Sequence, residues 1–121
     1  MSGTGFMTTG MDVQTGMTAL AGGAAPTAAA NTCVYGLNTV STVATAGDSL
    51  ILPAGIPQFG RVVVANLSAA KLDIFPNTGG TINAAAANNE LGIAAITTAE
   101  FIQVGTDGLT WVATGVSAKQ S

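Results

Sequence analysis

Side chains that could carry out chemistry are scarce in this chain. Its 121 residues include no histidine, one cysteine, three basic residues and six acidic residues. A serine nucleophile without histidine would need a lysine base, and neither Lys71 nor Lys119 lies in a motif of that kind. Two-carboxylate hydrolysis needs an acidic pair at a cleft, but turns and solvated faces account more simply for the acidic residues. The acidic residues that could in principle provide such a pair are Asp48, Asp73, Glu90, Glu100 and Asp107. The sequence therefore predicts that the chain is not an enzyme and uses no cofactor.

Binding of ions and nucleic acids also has little support. Calcium prefers oxygen ligands, which Asp48, Asp73, Asn77 and Asp107 offer, but these residues do not have the spacing of an EF-hand loop. We therefore predict no metal site, although calcium binding stays open at this stage. Nucleic acid requires a basic surface, and the three basic residues are too dispersed to form one. No nucleic-acid partner is expected. The basic residues are Arg61, Lys71 and Lys119.

The composition predicts association with other protein. Hydrophobic residues make up 48% of the chain and charged residues only 7%, against about 25% charged in ordinary soluble domains. Mean hydropathy is +0.51, yet no apolar run reaches the 18 residues typical of a membrane-spanning helix. The beginning of the sequence lacks the basic residues of a secretory signal. We expect no membrane partner and predict an obligate homo-oligomer, with a trimer as the expected state.

Two regions differ in composition. Residues 1–32 are rich in Gly, Thr, Ala and Met and show no sustained periodicity, so they predict an extended arm that lies on a neighbouring protein surface. A disordered tail is the alternative. The arm residues expected to bind the partner are Phe6, Met7, Met11, Met17 and Leu20.

Residues 33–116 predict an all-β domain, a small antiparallel β-sandwich or barrel of jelly-roll-like type, followed by a short tail at 117–121. Short β-branched runs recur at intervals of about 8–12 residues with turn residues between them. The strongest run is 61–66, which is apolar on both faces. Thr106-Asp107-Gly108 predicts a hairpin turn. Cys33 has no partner for an intrachain disulfide and is expected to be buried, and Trp111 is expected to anchor the core.

Three segments in order resemble a known family. They are TVSTVATAGDSLILP (39–53), RVVVANLSAAKLDIFPNTGGTIN (61–83) and TAEFIQVGTDGLTW (98–111). Together they are similar to a small domain of tailed-phage and prophage virion structural proteins, and the resemblance spans about residues 37–113. Gln103 departs from the family pattern, in which a cysteine or a small residue is often found.

The resemblance implies a role in virion assembly. We expect a capsid decoration (cement) protein that binds the major capsid protein on the outer capsid surface and stabilises the head lattice. The long N-terminal region favours this interpretation, because a lattice subunit must tie itself to its neighbours. The alternative is a fibre, spike or tail-associated module that recognises a host glycan or receptor.

Overall fold

The computed structural model describes residues 12–114. Nine strands and one turn of 3-10 helix, at Ala29–Asn31, make up its regular structure. The strands are β1 (Asp12–Thr18), β2 (Gly36–Thr42), β3 (Ser49–Ile51), β4 (Arg61–Asn66), β5 (Leu72–Phe75), β6 (Thr81–Ile82), β7 (Leu91–Ile93), β8 (Thr97–Gln103) and β9 (Thr110–Thr114). The prediction of an all-β domain is confirmed.

The strands form two sheets that face one another. The large sheet has the order β1-β2-β4-β8-β9-β6, and the small sheet has the order β3-β5-β7. Pairing is antiparallel for β4–β8, β5–β7 and β8–β9, but parallel for β1–β2, β2–β4, β3–β5 and β6–β9. The sheets are therefore mixed, and the antiparallel, jelly-roll-like arrangement expected from the sequence is corrected to a mixed β-sandwich.

Crossovers between the sheets explain the parallel pairs β1–β2 and β2–β4. β2 and β4 are neighbours in the large sheet, and the chain between them passes through β3 in the small sheet. The chain between β1 and β2 likewise touches β3, through the bridges Leu20–Ser49 and Thr32–Ile51. A strand that leaves a sheet, crosses the opposite layer and returns re-enters in its original direction, which gives a parallel pair.

The core lies between the two inner faces. Val62, Val64 and Phe101 of the large sheet and Leu72 and Ile74 of the small sheet are completely buried. Alternation along each strand places one set of side chains inside and the other outside. Trp111, at 1% exposure, and Cys33, at 2%, belong to the same cluster. Both were expected in the core, and both predictions are confirmed.

Residues 12–32 pack against their own domain, in contrast to the extended arm expected there. β1 pairs with β2 from Asp12 to Thr18, and the Asp12 N–H donates to the Tyr35 carbonyl at 2.8 Å. Farther along, the Ser49 hydroxyl donates to the Ala24 carbonyl at 2.6 Å. This segment therefore extends the large sheet and then crosses to the small one. For residues 1–11, which lie outside the described range, the arm remains a prediction.

Candidate functional site

The five residues expected to bind a partner are not brought together on a described surface. Phe6, Met7 and Met11 lie outside the described residues. Met17 is 4% exposed and belongs to the hydrophobic core, so we correct its assignment from partner contact to core residue. Leu20 is half-buried and its N–H donates to the Ser49 carbonyl at 2.8 Å. The pairing of β1 with β2 accompanies the inward position of Met17, and the bridge to Ser49 of β3 holds Leu20.

Three of the four oxygen-bearing residues considered for calcium are engaged in turns of the domain, and the fourth, Asp73, lies in β5. The Asp48 carboxylate accepts the Thr45 N–H at 3.1 Å, and the Asp107 carboxylate accepts the Leu109 N–H at 2.9 Å. Asn77 accepts the indole N–H of Trp111 at 2.9 Å and donates to the Gly108 carbonyl. Within residues 12–114, no group of three or more His, Cys, Asp or Glu side chains is placed to hold a metal ion.

Two titratable groups are perturbed by burial. Desolvation raises the pKa of the Cys33 thiol to about 12, so the thiol is protonated at neutral pH and a poor nucleophile. Desolvation also raises the pKa of Asp73, against the opposing effect of the Lys71 ammonium group, whose nitrogen lies 3.3 Å from Asp73 Oδ1. Burial alone accounts for the shifted pKa of Cys33, and burial opposed by an adjacent cation accounts for that of Asp73.

The outer face of the large sheet is the most extended candidate surface. Val13, Leu37, Val63, Glu100 and Thr114 are successive pairing partners across five strands. Paired residues on adjacent strands point to the same face, so these five side chains form one row. The row spans about 19 Å at the usual strand spacing. Val13 is 68% exposed and Leu37 is 38% exposed, which leaves the β1–β2 end of the row apolar and open.

A second row on the same face begins with the only cation of these strands. Arg61 pairs with Ile102, which pairs with Val112, and Val112 is 41% exposed. The Arg61 guanidinium donates to the Glu100 carboxylate at 2.9 Å. Because each of the two charges is balanced by the other, the face carries no net charge. Exposed pairs of this kind contribute about 0–1 kcal/mol to stability. The main effect of this pair is therefore to leave the face without net charge.

This face was not predicted from the sequence as an interaction surface, although one feature of the sequence points to it. The 61–66 run is apolar on both faces. Its inward residues Val62 and Val64 contribute to the core, but the core does not require an apolar residue on the outward side. Val63, on the outward side, is half-buried. Val63 pairs with the exposed Leu37, which pairs with the exposed Val13, so the apolar surface continues across three strands. The outer face, defined by the two rows above, is therefore our candidate interaction surface.

Comparison of the chain with protein-family models gives no match, and comparison with curated proteins gives no relative. The described part of the chain contains no helix long and apolar enough to cross a membrane.

Proposed function

We propose that this chain is a virion structural protein, a capsid decoration protein that binds the outer surface of a phage head through the outer face of its large sheet. The observation that carries the proposal is the apolar part of the first row, Val13, Leu37 and Val63, on a face with no net charge. An exposed apolar surface of this kind favours contact with another protein. The resemblance of residues 37–113 to phage structural domains supplies the class of partner, the major capsid protein.

The size of the face explains why decoration would require several joined copies. The five strands that carry the rows span about 19 Å, and the six residues of β4 extend about 20 Å, so the outer face of these strands measures roughly 400 Å². A standard protein interface buries about 800 Å² on each partner. One copy therefore supplies about half of a stable contact. A symmetric oligomer, expected to be a trimer, would multiply that contact without increasing the affinity of each site.

Charge reversal on the outer face tests this proposal. We expect Leu37→Glu to reduce co-sedimentation with phage heads that lack the protein at least about tenfold, because it places an unpaired carboxylate in a desolvated contact. The matched control is Thr78→Glu, which adds the same charge at an exposed loop position. Equal binding by the two variants would contradict the assignment of this face.

The site of attachment tests the class of function. Labelled antibodies against the chain should mark many copies across the head in electron micrographs. Label confined to the tail or to the vertices would overturn the decoration proposal and favour a fibre or tail-associated module.

Phe59 favours that second candidate function. It is an aromatic residue with 67% exposure and a backbone φ of 69°, and it lies just before β4. Exposed aromatic rings are common platforms in sugar recognition. If the chain binds a host glycan, Phe59→Ala should abolish retention on a glycan array while leaving head binding unchanged. Retention equal to that of the unaltered chain would remove Phe59 from such a role.

A further inference from the structure

A carboxylate is buried on the outer side of the small sheet. Asp73 lies in β5 between Leu72 and Ile74, whose side chains enter the core. Alternation along the strand therefore directs the Asp73 side chain away from the core. Outer faces of this kind are commonly solvated, but Asp73 is only 6% exposed. Another part of the chain must cover it.

The cover is a turn of residues 21–24, which we call the lid. It directly follows Leu20, whose N–H donates to the Ser49 carbonyl at 2.8 Å. Ser49 is also the β3 partner of Asp73, so the lid begins one strand away from the buried carboxylate. At the other end of the lid, the Ser49 hydroxyl donates to the Ala24 carbonyl at 2.6 Å. Bonds to one residue of β3 thus fasten both ends of a turn that carries no charge.

The lid reaches Asp73 through a second loop that contains glycine. A Cβ on Gly23 of the lid would lie 3.5 Å from the Gly47 carbonyl oxygen, and a Cβ on Gly47 would lie 3.7 Å from Asp73 Oδ2. A cleft of about 510 Å³ lies among these groups, lined by residues 21–23, residues 45–48 and Asp73. One water molecule occupies about 30 Å³ in the liquid, so the cleft can hydrate the carboxylate when the lid moves.

The contacts of Asp73 compensate poorly for its burial. Its Oδ1 is buried and accepts no hydrogen bond within the described residues, and the Lys71 ammonium nitrogen lies 3.3 Å from it. Charge-assisted hydrogen bonds are about 2.7–2.9 Å long, so this contact is an ion pair without a well-formed hydrogen bond. The Lys71 side chain is 37% exposed, and water weakens the attraction of an exposed cation.

The elements packed against Asp73 supply no second cation within residues 12–114. Its partners across the sheet, Ser49 in β3 and Gly92 in β7, are uncharged. Asp48 lines the cleft, and its carboxylate accepts a backbone N–H of its own loop at 3.1 Å. Glu90, just before β7, carries a negative charge that opposes the ionisation of Asp73. The surroundings of Asp73 therefore favour its neutral form.

The pKa of Asp73 agrees with this geometry. Desolvation raises the pKa, Lys71 lowers it, and Glu90 raises it again, with a net increase above the ordinary value. Because desolvation is the largest of these effects, whatever covers Asp73 controls its ionisation, and the lid is part of that cover.

We propose that the lid and Asp73 form an acid-responsive latch, in which the lid closes over the protonated carboxyl and releases its bonds to Ser49 when the carboxylate is ionised. Closure removes water from Asp73, which disfavours the charged form. The closed state therefore binds the proton more tightly than the open state, and by linkage closure is favoured at low pH. It weakens as the pH rises above about 4, the ordinary pKa of an aspartate, and through the raised pKa of Asp73. The chain has no histidine, the usual residue for such a response.

Amide hydrogen exchange tests the latch, with protection factors that correct for the intrinsic effect of pH. The Leu20 and Ser49 amides each donate to the other residue's carbonyl. In the full chain we expect their protection to fall at least about threefold from about pH 4 to about pH 8, since one pKa unit between the closed and open states corresponds to about tenfold. Asp73→Asn, a neutral side chain of the same shape, should make the protection constant. Amides of β8 should keep their protection, which separates lid opening from unfolding.

Further variants identify the groups involved. Lys71→Met removes the cation that lowers the pKa of Asp73, so it should move the fall in protection to higher pH. Ser49→Ala removes the bond to Ala24 and should lower the protection of Leu20 at every pH. Glu100→Gln, which removes a carboxylate from the other sheet, should retain the pH dependence of the unaltered chain. Protection that does not vary with pH in the unaltered chain, or a variation that survives Asp73→Asn, would overturn the proposal.

Discussion

At the scale of single residues, buried side-chain amides hold the large sheet to its loops. Asn38 accepts the Val34 N–H at 2.8 Å and donates to the Val63 carbonyl at 3.1 Å. Gln103 accepts the Gly105 N–H at 2.7 Å and donates to the Ile56 carbonyl. Each amide provides both donors and acceptors to backbone groups that would otherwise be unpaired. Because the core has so few charges, its specificity comes from neutral amides. Gln103 is one of them, at a position where the phage family that this chain resembles often has a cysteine or a small residue.

Asn66→Ala should destabilise the fold more than any exposed asparagine. It removes the donors for two loop carbonyls and the acceptor for Ser68, and buried groups left unpaired cost about 1–3 kcal/mol. We expect the free energy of unfolding, measured by urea denaturation, to fall by about 2–3 kcal/mol. Asn31→Ala is the control, since Asn31 makes one exposed hydrogen bond to the Thr18 carbonyl and should cost less than about 0.5 kcal/mol. Equal losses would show that the Asn66 network contributes little.

Cys33 should be unreactive while the protein is folded. Its thiol is 2% exposed, and its pKa of about 12 leaves almost no thiolate at pH 8. An ordinary cysteine, with a pKa of about 8.5, is partly ionised there. Labelling with a thiol-specific disulfide reagent should be at least about a hundredfold slower in buffer than in denaturant. Similar rates in both conditions would mean that the interior around Cys33 opens readily.

At the scale of elements, local sequence identifies most strands but not their partners. β4 was predicted from the β-branched run at 61–66, and the Thr106-Asp107-Gly108 turn correctly joins β8 to β9. β1 was missed because its sequence does not alternate, and the register shifts between Gln14 and Met17 interrupt the pattern. The parallel pairing depends on crossovers through the other sheet, which no local pattern encodes. The candidate site could not be predicted for the same reason. Outward residues such as Leu37 can be assigned to a common face only when the strand order is known.

Gly36 should be essential for the attachment of β1. A Cβ at this position would overlap the backbone oxygen of Asp12 and lie 2.6 Å from its nitrogen. We therefore expect Gly36→Ala to displace β1, to lower the free energy of unfolding by more than about 2 kcal/mol, and to speed amide hydrogen exchange in residues 13–18. Gly55→Ala separates this overlap from backbone strain, because Gly55 also has a positive φ, of 78°, but no atom within 4 Å of the added Cβ. The proposal that β1 belongs to the domain fails if both variants leave exchange in β1 unchanged.

At the scale of the whole molecule, a small net charge must keep a strongly apolar chain dispersed. The formal net charge is −3 at pH 7, and the isoelectric point is near 4.2. Charge repulsion between copies disappears as the pH approaches that value. Association is then governed by the exposed apolar surface, which the structure places on the outer face and at Phe59, Leu67 and Ile96.

Solubility measured against pH should therefore be lowest near pH 4.2, where the net charge vanishes, and at pH 7 we expect the outer face to limit it. Leu37→Glu and Thr78→Glu change the net charge equally, so charge alone predicts equal gains in solubility at pH 7. If the outer face drives association between copies, Leu37→Glu should give the larger gain, because it also interrupts the apolar row between Val13 and Val63. Unfolding by urea provides the control for stability, since an exposed substitution should change the free energy by no more than about 0.5 kcal/mol. Equal gains from the two variants would mean that net charge, and not this face, limits solubility, and the outer face would then need a specific partner to associate at all.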